Sequence, residues 1–427
     1  MSHEVEAPLG SARDTRAAQV LLACCLEGTR WPEALLARLI DGPHSHLLFR
    51  IVIEGLSDRF EPRLCDTYAD LFSRVIAHLT PAFRASDLRE RYERIRRPRR
   101  FTGDPAAVRR VFVLSRVTLG ADVAVTSVLM AAAGRAFPNA SVALVGPRKC
   151  WELFAGDPSI GHVPVEYVRR GTLRDRLAIW PGLRQALDGA DSIVIDPDSR
   201  LTQLGLLPVC EEARYFFFES RAYGGSGDDS LSALAARWAE ETFGVHGAAP
   251  FVCPPAPPQP EAAREVTVSL GVGENPGKRV DDPFEASLLA YLAQGHGRVL
   301  IDRGGGGEEA ARVERAVAGH DGAVHMYEGP FSGFAAQMAG SRLYVGYDSA
   351  GGHTAAALGV PAVVVFAGFA SARALARWRP TGPGPVRVVA ADAHDPTRAL
   401  AGTLAAIAAS RASMGSSHGA IHGRLVS

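Results

Sequence analysis

Cysteine is scarce and unpatterned in this sequence. The six residues (Cys24, Cys25, Cys65, Cys150, Cys210 and Cys253) form no Cys-x-x-Cys pair. A disulfide framework and a zinc ribbon are therefore not expected, and a reducing cytoplasm is the expected compartment. A surplus of one charge is also missing. Lys plus Arg and Asp plus Glu both number 46, so no overall field draws the chain to nucleic acid. The opening MSHEVE lacks the basic start and apolar stretch of a signal peptide. No apolar run is read as long enough to span a bilayer. No compact set of carboxylates marks a metal site, so neither a metal nor a cofactor is expected.

What is present points to a multidomain α/β protein. At 427 residues the chain exceeds one ordinary core, and two or three domains are expected. Residues 343–366, LYVGYDSAGGHTAAALGVPAVVVF, organise the reading. An apolar run ends at Tyr347, and Asp348 and Ser349 are good helix-capping residues. Gly351 and Gly352 allow a tight turn, and a small-residue helix is predicted over 353–358. Gly359 suits a left-handed helix end, Pro361 blocks continuation, and 362–366 reads as a buried strand. This strand–loop–helix–strand unit places free N–H groups and a helix dipole where an anion, typically a phosphate, would sit.

The rest of the chain falls into blocks. Residues 1–108 read as a helical region closed by a basic linker, RIRRPRR at 94–100, taken as solvated. The ambiguous run 51–56 is read as helix. Residues 109–250 restart as α/β, with strands near 111–115, 141–145, 191–196 and 211–218. A proline-rich linker, 251–264, precedes a second α/β block over 265–409, and 410–427 reads as a flexible tail. The fold class is thus α/β: two parallel-sheet, Rossmann-like domains facing across a cleft, preceded by an α-helical region.

Three features carry a resemblance. One is Asp348-Ser349 with His353 five residues after the Asp, followed by Ala-Ala-Leu-Gly-x-Pro. Another is a strand followed by Gly120-Ala121-Asp122 and a helix. The last is Phe137-Pro138-Asn139-Ala140 before the next strand. Together these resemble glycosyltransferase family 9, to which the heptosyltransferases of lipopolysaccharide core synthesis belong. The similarity spans roughly 109–409 and leaves the helical region uncovered. It departs from the family at Ala350, usually Gly, and at Ala121, which separates a Gly and an Asp that the family joins.

The resemblance implies a GT-B fold and an inverting, metal-independent transfer of a sugar from a nucleotide diphosphate, with ADP-heptose as one candidate donor. It also implies a glycan or lipid-linked acceptor, and action in the cytoplasm with peripheral contact at the inner membrane face as an option. Asp122 is the base implied for the acceptor hydroxyl, against a role as helix N-cap. Lys278 and Arg279, in a Gly/Pro loop after a strand, face donor phosphate. Glu308, or its neighbour Glu309, holds the ribose. Asp348, Ser349, Ala350, Gly351, Gly352 and His353 form the phosphate loop, with Asp348 orienting amides or a Lys. Two other readings stay open: a nucleotide-sugar-binding scaffold without turnover, in which the helical region recruits partners, and a nucleotide-sugar epimerase.

Overall fold

Short Val-, Ile- and Leu-rich runs between helical stretches build two separate parallel sheets. A computed structural model describes residues 9–42, 44–57, 59–168, 172–255, 265–273, 275–295, 298–320 and 322–422, with backbone only for 9–11 and 414–422. The first sheet holds β1 (Arg110–Leu114), β2 (Ser141–Gly146), β3 (Ile160–Pro164), β4 (Ser192–Asp196) and β5 (Tyr215–Phe217), ordered β3-β2-β1-β4-β5. The second holds β6 (Val266–Ser269), β7 (Val299–Asp302), β8 (Val324–Tyr327), β9 (Leu343–Tyr347), β10 (Ala362–Phe366) and β11 (Val386–Ala390), ordered β11-β10-β9-β6-β7-β8. Every pairing is parallel, as expected for strands buried on both faces. Only β3 was not expected. Its Gly161, His162 and Pro164 carry no strand signal, and an edge strand with one neighbour tolerates them.

The helix Leu119–Ala136 corrects one expectation. It has the length and mean hydropathy (1.3) of a membrane span, yet 67% of it is buried inside the molecule. It is a core helix of the first domain, covering β1 and β2 with Val123, Val125, Val128 and Leu129.

The N-terminal region is helical as expected, including 51–56, where a π-helical turn (Leu48–Ile53) runs into Glu54–Ser57. It packs on one face of the first sheet, over Phe112, Leu114, Val145 and Val194, and on the loop after β4. Leu64, Tyr68, Phe72 and Tyr92 share one apolar cluster with Leu204, Leu207, Tyr215 and Phe217. Tyr68 Oη donates to the Gln203 carbonyl (2.9 Å) and Arg91 to that of Gly205 (2.6 Å). The basic linker is not simply solvated. Arg94 pairs with Glu212 (2.7 Å), Arg96 with Glu219 (3.1 Å), and Arg99 donates to the Tyr215 carbonyl (3.0 Å). Carbonyls and carboxylates on both sides of β5 supply partners that the composition of 94–100 does not reveal.

After the helix Leu231–Phe243 the chain returns along the first domain, where Cys253 N–H donates to the Leu153 carbonyl (2.8 Å). The start of the expected linker is therefore docked, and its residues 256–264 lie outside the described residues. The helix Ala372–Trp378 of the second half then bridges both domains. Arg377, 1% exposed, donates to the carbonyls of Asp229 (2.9 Å) and Gly225 (3.0 Å), and Arg373 to that of Phe60 (3.1 Å). The closing helix corrects the expected tail: it runs Pro396–His422 rather than ending near 409. Thr403, Ser410 and Ser413 bond back to the carbonyl four residues earlier, so the hydroxyls are satisfied inside a helix. Residues 423–427 lie outside the described residues.

Candidate functional site

In open parallel sheets ligands bind beyond the carboxyl ends of strands, where the strand order reverses. Here those points lie between β1 and β4 and between β6 and β9. In the second domain the loop after β6 ends in a short turn, Pro276–Lys278, whose first N–H is held by the Asn275 side chain (3.0 Å). Lys278 Nζ meets Asp348 Oδ2 at 2.5 Å, and Asp348 is only 8% exposed. The expected orienting role of Asp348 toward a Lys thus has a geometry.

The helix after β9 begins at Ala350, three residues earlier than expected, and runs to Ala357. Gly351 and Gly352 are therefore helical and not a turn. Their missing side chains matter for approach: a Cβ on Gly351 would lie 2.1 Å from Tyr344 Oη, and one on Gly352 2.9 Å from Val364 Cγ2. Ala350 is the first helical residue and lacks a positive φ, so its Cβ is tolerated. Ser349 is the N-cap by position but makes no capping bond with its side chain. Gly359 ends the helix at φ +79°, as its sequence position predicts.

His353 is 4% exposed and lies edge-on to Trp378, with ring centroids 6.1 Å apart. Burial pushes its pKa down to about 4, with Asp348 opposing and the Lys278 charge adding to the shift. The ring is neutral at pH 7 and offers a hydrogen bond rather than a charge. In the unfolded chain His353 takes up a proton below about pH 6.5, while the folded ring resists until about pH 4. Stability present above pH 6.5 is lost as pH falls through that window. His353→Gln is expected to remove about 2–3 kcal/mol of this acid sensitivity, read as a smaller loss of urea stability between pH 7 and 4. An identical pH slope in both proteins would place His353 in solvent.

In the first domain Asp122 lies in a π-helical turn within Leu119–Ala136 and is fully buried. Its carboxylate accepts from Ser115 Oγ, the Arg116 backbone N–H and Thr126 Oγ1, each at 2.7 Å. Burial raises its pKa and these hydrogen bonds oppose the rise. The carboxylate ties the loop after β1 to the helix behind it, and it neither caps a helix nor reaches the cleft.

No protein-family profile matches the sequence, and no curated protein does. Solved structures do match. A glycosyl transferase family 9 protein from Veillonella parvula aligns at 15% identity over 66% of this chain and 86% of its own, with a TM-score of 0.50. The E. coli heptosyltransferase WaaC, solved with ADP-2-deoxy-2-fluoro heptose, aligns at 17% identity over 71% and 99%, with a TM-score of 0.51. The chain has the GT-B fold of the family 9 glycosyltransferases.

Within this fold the structure sorts the expected residues. Lys278, Asp348, Ser349, Ala350 and His353 come together at the end of β9. Arg279 is held by Glu285 (3.1 Å) and Asp282, and Glu285 also serves Arg312 and Tyr347. Glu308 is exposed on the helix Gly307–Val317. Its half-buried neighbour Glu309 instead lies over the ends of β6 and β7, with Oε1 2.6 Å from a Cβ placed on Gly271 and 2.2 Å from one on Gly304. Those two glycines leave the room, and Glu309 replaces Glu308 as the ribose candidate.

Three residues escaped the sequence reading. Gly368, at φ +59°, packs so closely on the Lys278 loop that a Cβ would sit 1.8 Å from the Gly277 carbonyl oxygen. Arg116, 5% exposed, donates to Ser220 Oγ (2.6 Å) and lies 5.8 Å from the Trp378 ring. Trp378 in turn touches His353 and Phe60. Only folding brings these segments together. Gly120 shows how close the halves come: a Cβ there would be 3.3 Å from both Ala350 Cα and His353 Cδ2.

Proposed function

We propose that this chain is an inverting, metal-independent glycosyltransferase that moves a sugar from a nucleotide diphosphate to a hydroxyl of a glycan or lipid-linked acceptor. The observation that carries this reading is the Lys278–Asp348 pair (2.5 Å) beside the first turn of Ala350–Ala357. An ammonium fixed by a carboxylate, next to free helix N–H groups, is a preformed site for a departing diphosphate. Neutral His353 adds a hydrogen bond, and Glu309 accepts from ribose hydroxyls. ADP-heptose is the first donor to test, because WaaC was solved with an ADP-linked heptose analogue.

Transfer also requires that the acceptor hydroxyl lose its proton to a base. Asp122 is fully buried with three partners, so that duty passes to another carboxylate or needs the loop after β1 to open. This burial favours a second reading, a nucleotide-sugar-binding protein without turnover. A turnover assay with ADP-heptose and other nucleotide sugars separates the two, since the second reading requires binding without transfer.

The donor half has its own test. Lys278→Ala is expected to weaken ADP binding by about 1.5–3 kcal/mol, the range for hydrogen bonds to charged groups, and to leave adenosine binding nearly unchanged. Equal losses for both ligands in calorimetry would remove Lys278 from the phosphate site.

A further inference from the structure

Two cavities flank a carboxylate that the reading above does not use. Glu219, just after β5, is 7% exposed and accepts from Tyr92 Oη and from Arg96 Nε (3.1 Å). Burial pushes its carboxyl up to about 7. On one side is a small space of about 10 Å³ walled by Tyr68, Tyr92, Asp198 and Arg221. On the other is a wider one, about 180 Å³, lined by Arg96, Pro98, Phe217, Ala222, Tyr223 and Trp238.

The wider cavity has a readable chemistry. Its one cation, Arg96, is already paired with Glu219 and Asp66, so the site offers little net charge and suits a neutral ligand. Three of its walls are aromatic, which suits the C–H faces of a compact ring. Trp238 is 2% exposed, and its indole N–H has no hydrogen-bond partner among the described residues. The Glu219 carboxylate, which also lines this cavity, can accept from a hydroxyl. Apolar faces and a carboxylate acceptor together match a sugar ring.

We propose that this cavity binds a neutral glycosyl unit of the acceptor, and that Arg96 and Pro98, from the end of the N-terminal region, complete the site. The N-terminal region then acts in acceptor recognition as well as in packing. The proposal rests on the glycosyltransferase reading for the word acceptor, and binding itself is tested independently of donor chemistry.

The experiment uses the full chain, a panel of methyl hexopyranosides and methyl heptopyranosides in saturation-transfer NMR titrations, and ADP in calorimetry. Ala222→Trp fills the cavity without touching the donor loop, and Ala222→Leu is a milder filling that serves if the larger one does not fold. Glu219→Gln keeps the shape and removes the carboxylate. At least one methyl glycoside is expected to bind the wild type. Filling at position 222 should weaken it at least tenfold and Glu219→Gln severalfold, with ADP affinity unchanged in all three variants. Unchanged glycoside affinity after filling, or no glycoside binding by a protein that binds ADP, overturns the cavity proposal. Loss of ADP binding in the wild type would instead overturn the donor reading, and a glycoside displaced by filling would still support the cavity.

Discussion

Replacing Asp122 with alanine is expected to cost about 3–9 kcal/mol of folding stability. Three buried donors, Ser115 Oγ, the Arg116 N–H and Thr126 Oγ1, lose their acceptor together. Each unsatisfied buried donor costs about 1–3 kcal/mol. Domains of this size are stable by only about 5–15 kcal/mol, so the first domain should unfold at far lower urea. Asp122→Asn is milder, because one oxygen can still serve Arg116 and Thr126 while only the Ser115 contact must rearrange. Urea unfolding followed by circular dichroism measures both. The same pair decides catalysis. If Asp122 anchors the loop, Asp122→Asn keeps most turnover. A base would lose about 10²–10⁴-fold. An Asp122→Ala protein as stable as wild type would end the anchoring role and return the residue to the chemistry.

Gly368→Ala should damage the donor site from outside it. The residue has φ +59°, and an added Cβ would sit 1.8 Å from the Gly277 carbonyl oxygen, one residue before Lys278. The left-handed backbone alone costs about 1 kcal/mol for a residue with a Cβ. The overlap must also push the Lys278 turn away from Asp348. ADP affinity is expected to fall about 10–100-fold, as for loss of a charged hydrogen bond, together with a lower melting temperature. Gly359→Ala is the control. It has a comparable φ of +79°, but its Cβ would meet nothing closer than 4.0 Å. It should lose some stability and keep ADP affinity. If both variants bind ADP like wild type, Gly368 does not set the position of Lys278.

Much of the architecture was legible because its determinants are local. The end of β9 at Tyr347 and the bounds of β10 matched expectation, since apolar β-branched runs between Gly and Pro signals report burial directly. The pairing of Lys278 with Asp348 was half legible. The sequence suggested that the acid would orient a Lys, and folding showed which one, 70 positions away. Other expectations failed for identifiable reasons. Helix starts after glycine were misjudged because Gly351 and Gly352 serve close packing against Tyr344 and Val364, which no neighbour in sequence announces. Glu308 and Glu309 are adjacent acids, and only the helix phase decides which one turns inward. Arg279, expected to face phosphate, is paired with Glu285 and Asp282, partners that its own loop does not announce.

The sequence by itself determined two α/β halves, a helical region before them, a break near the prolines, and the strand–loop–helix–strand unit of β9 and β10. These follow from periodicity, capping and turn chemistry within a few residues. Only the tertiary structure decided that Asp122 is buried among Ser115, Arg116 and Thr126, that Glu309 stands over the strand ends, that the linker arginines are paired, and that Trp378 joins Phe60, Arg116 and His353. The reason is physical. Burial and charge pairing are properties of distance in space, and each of these residues takes its role from partners supplied by a packed neighbouring element.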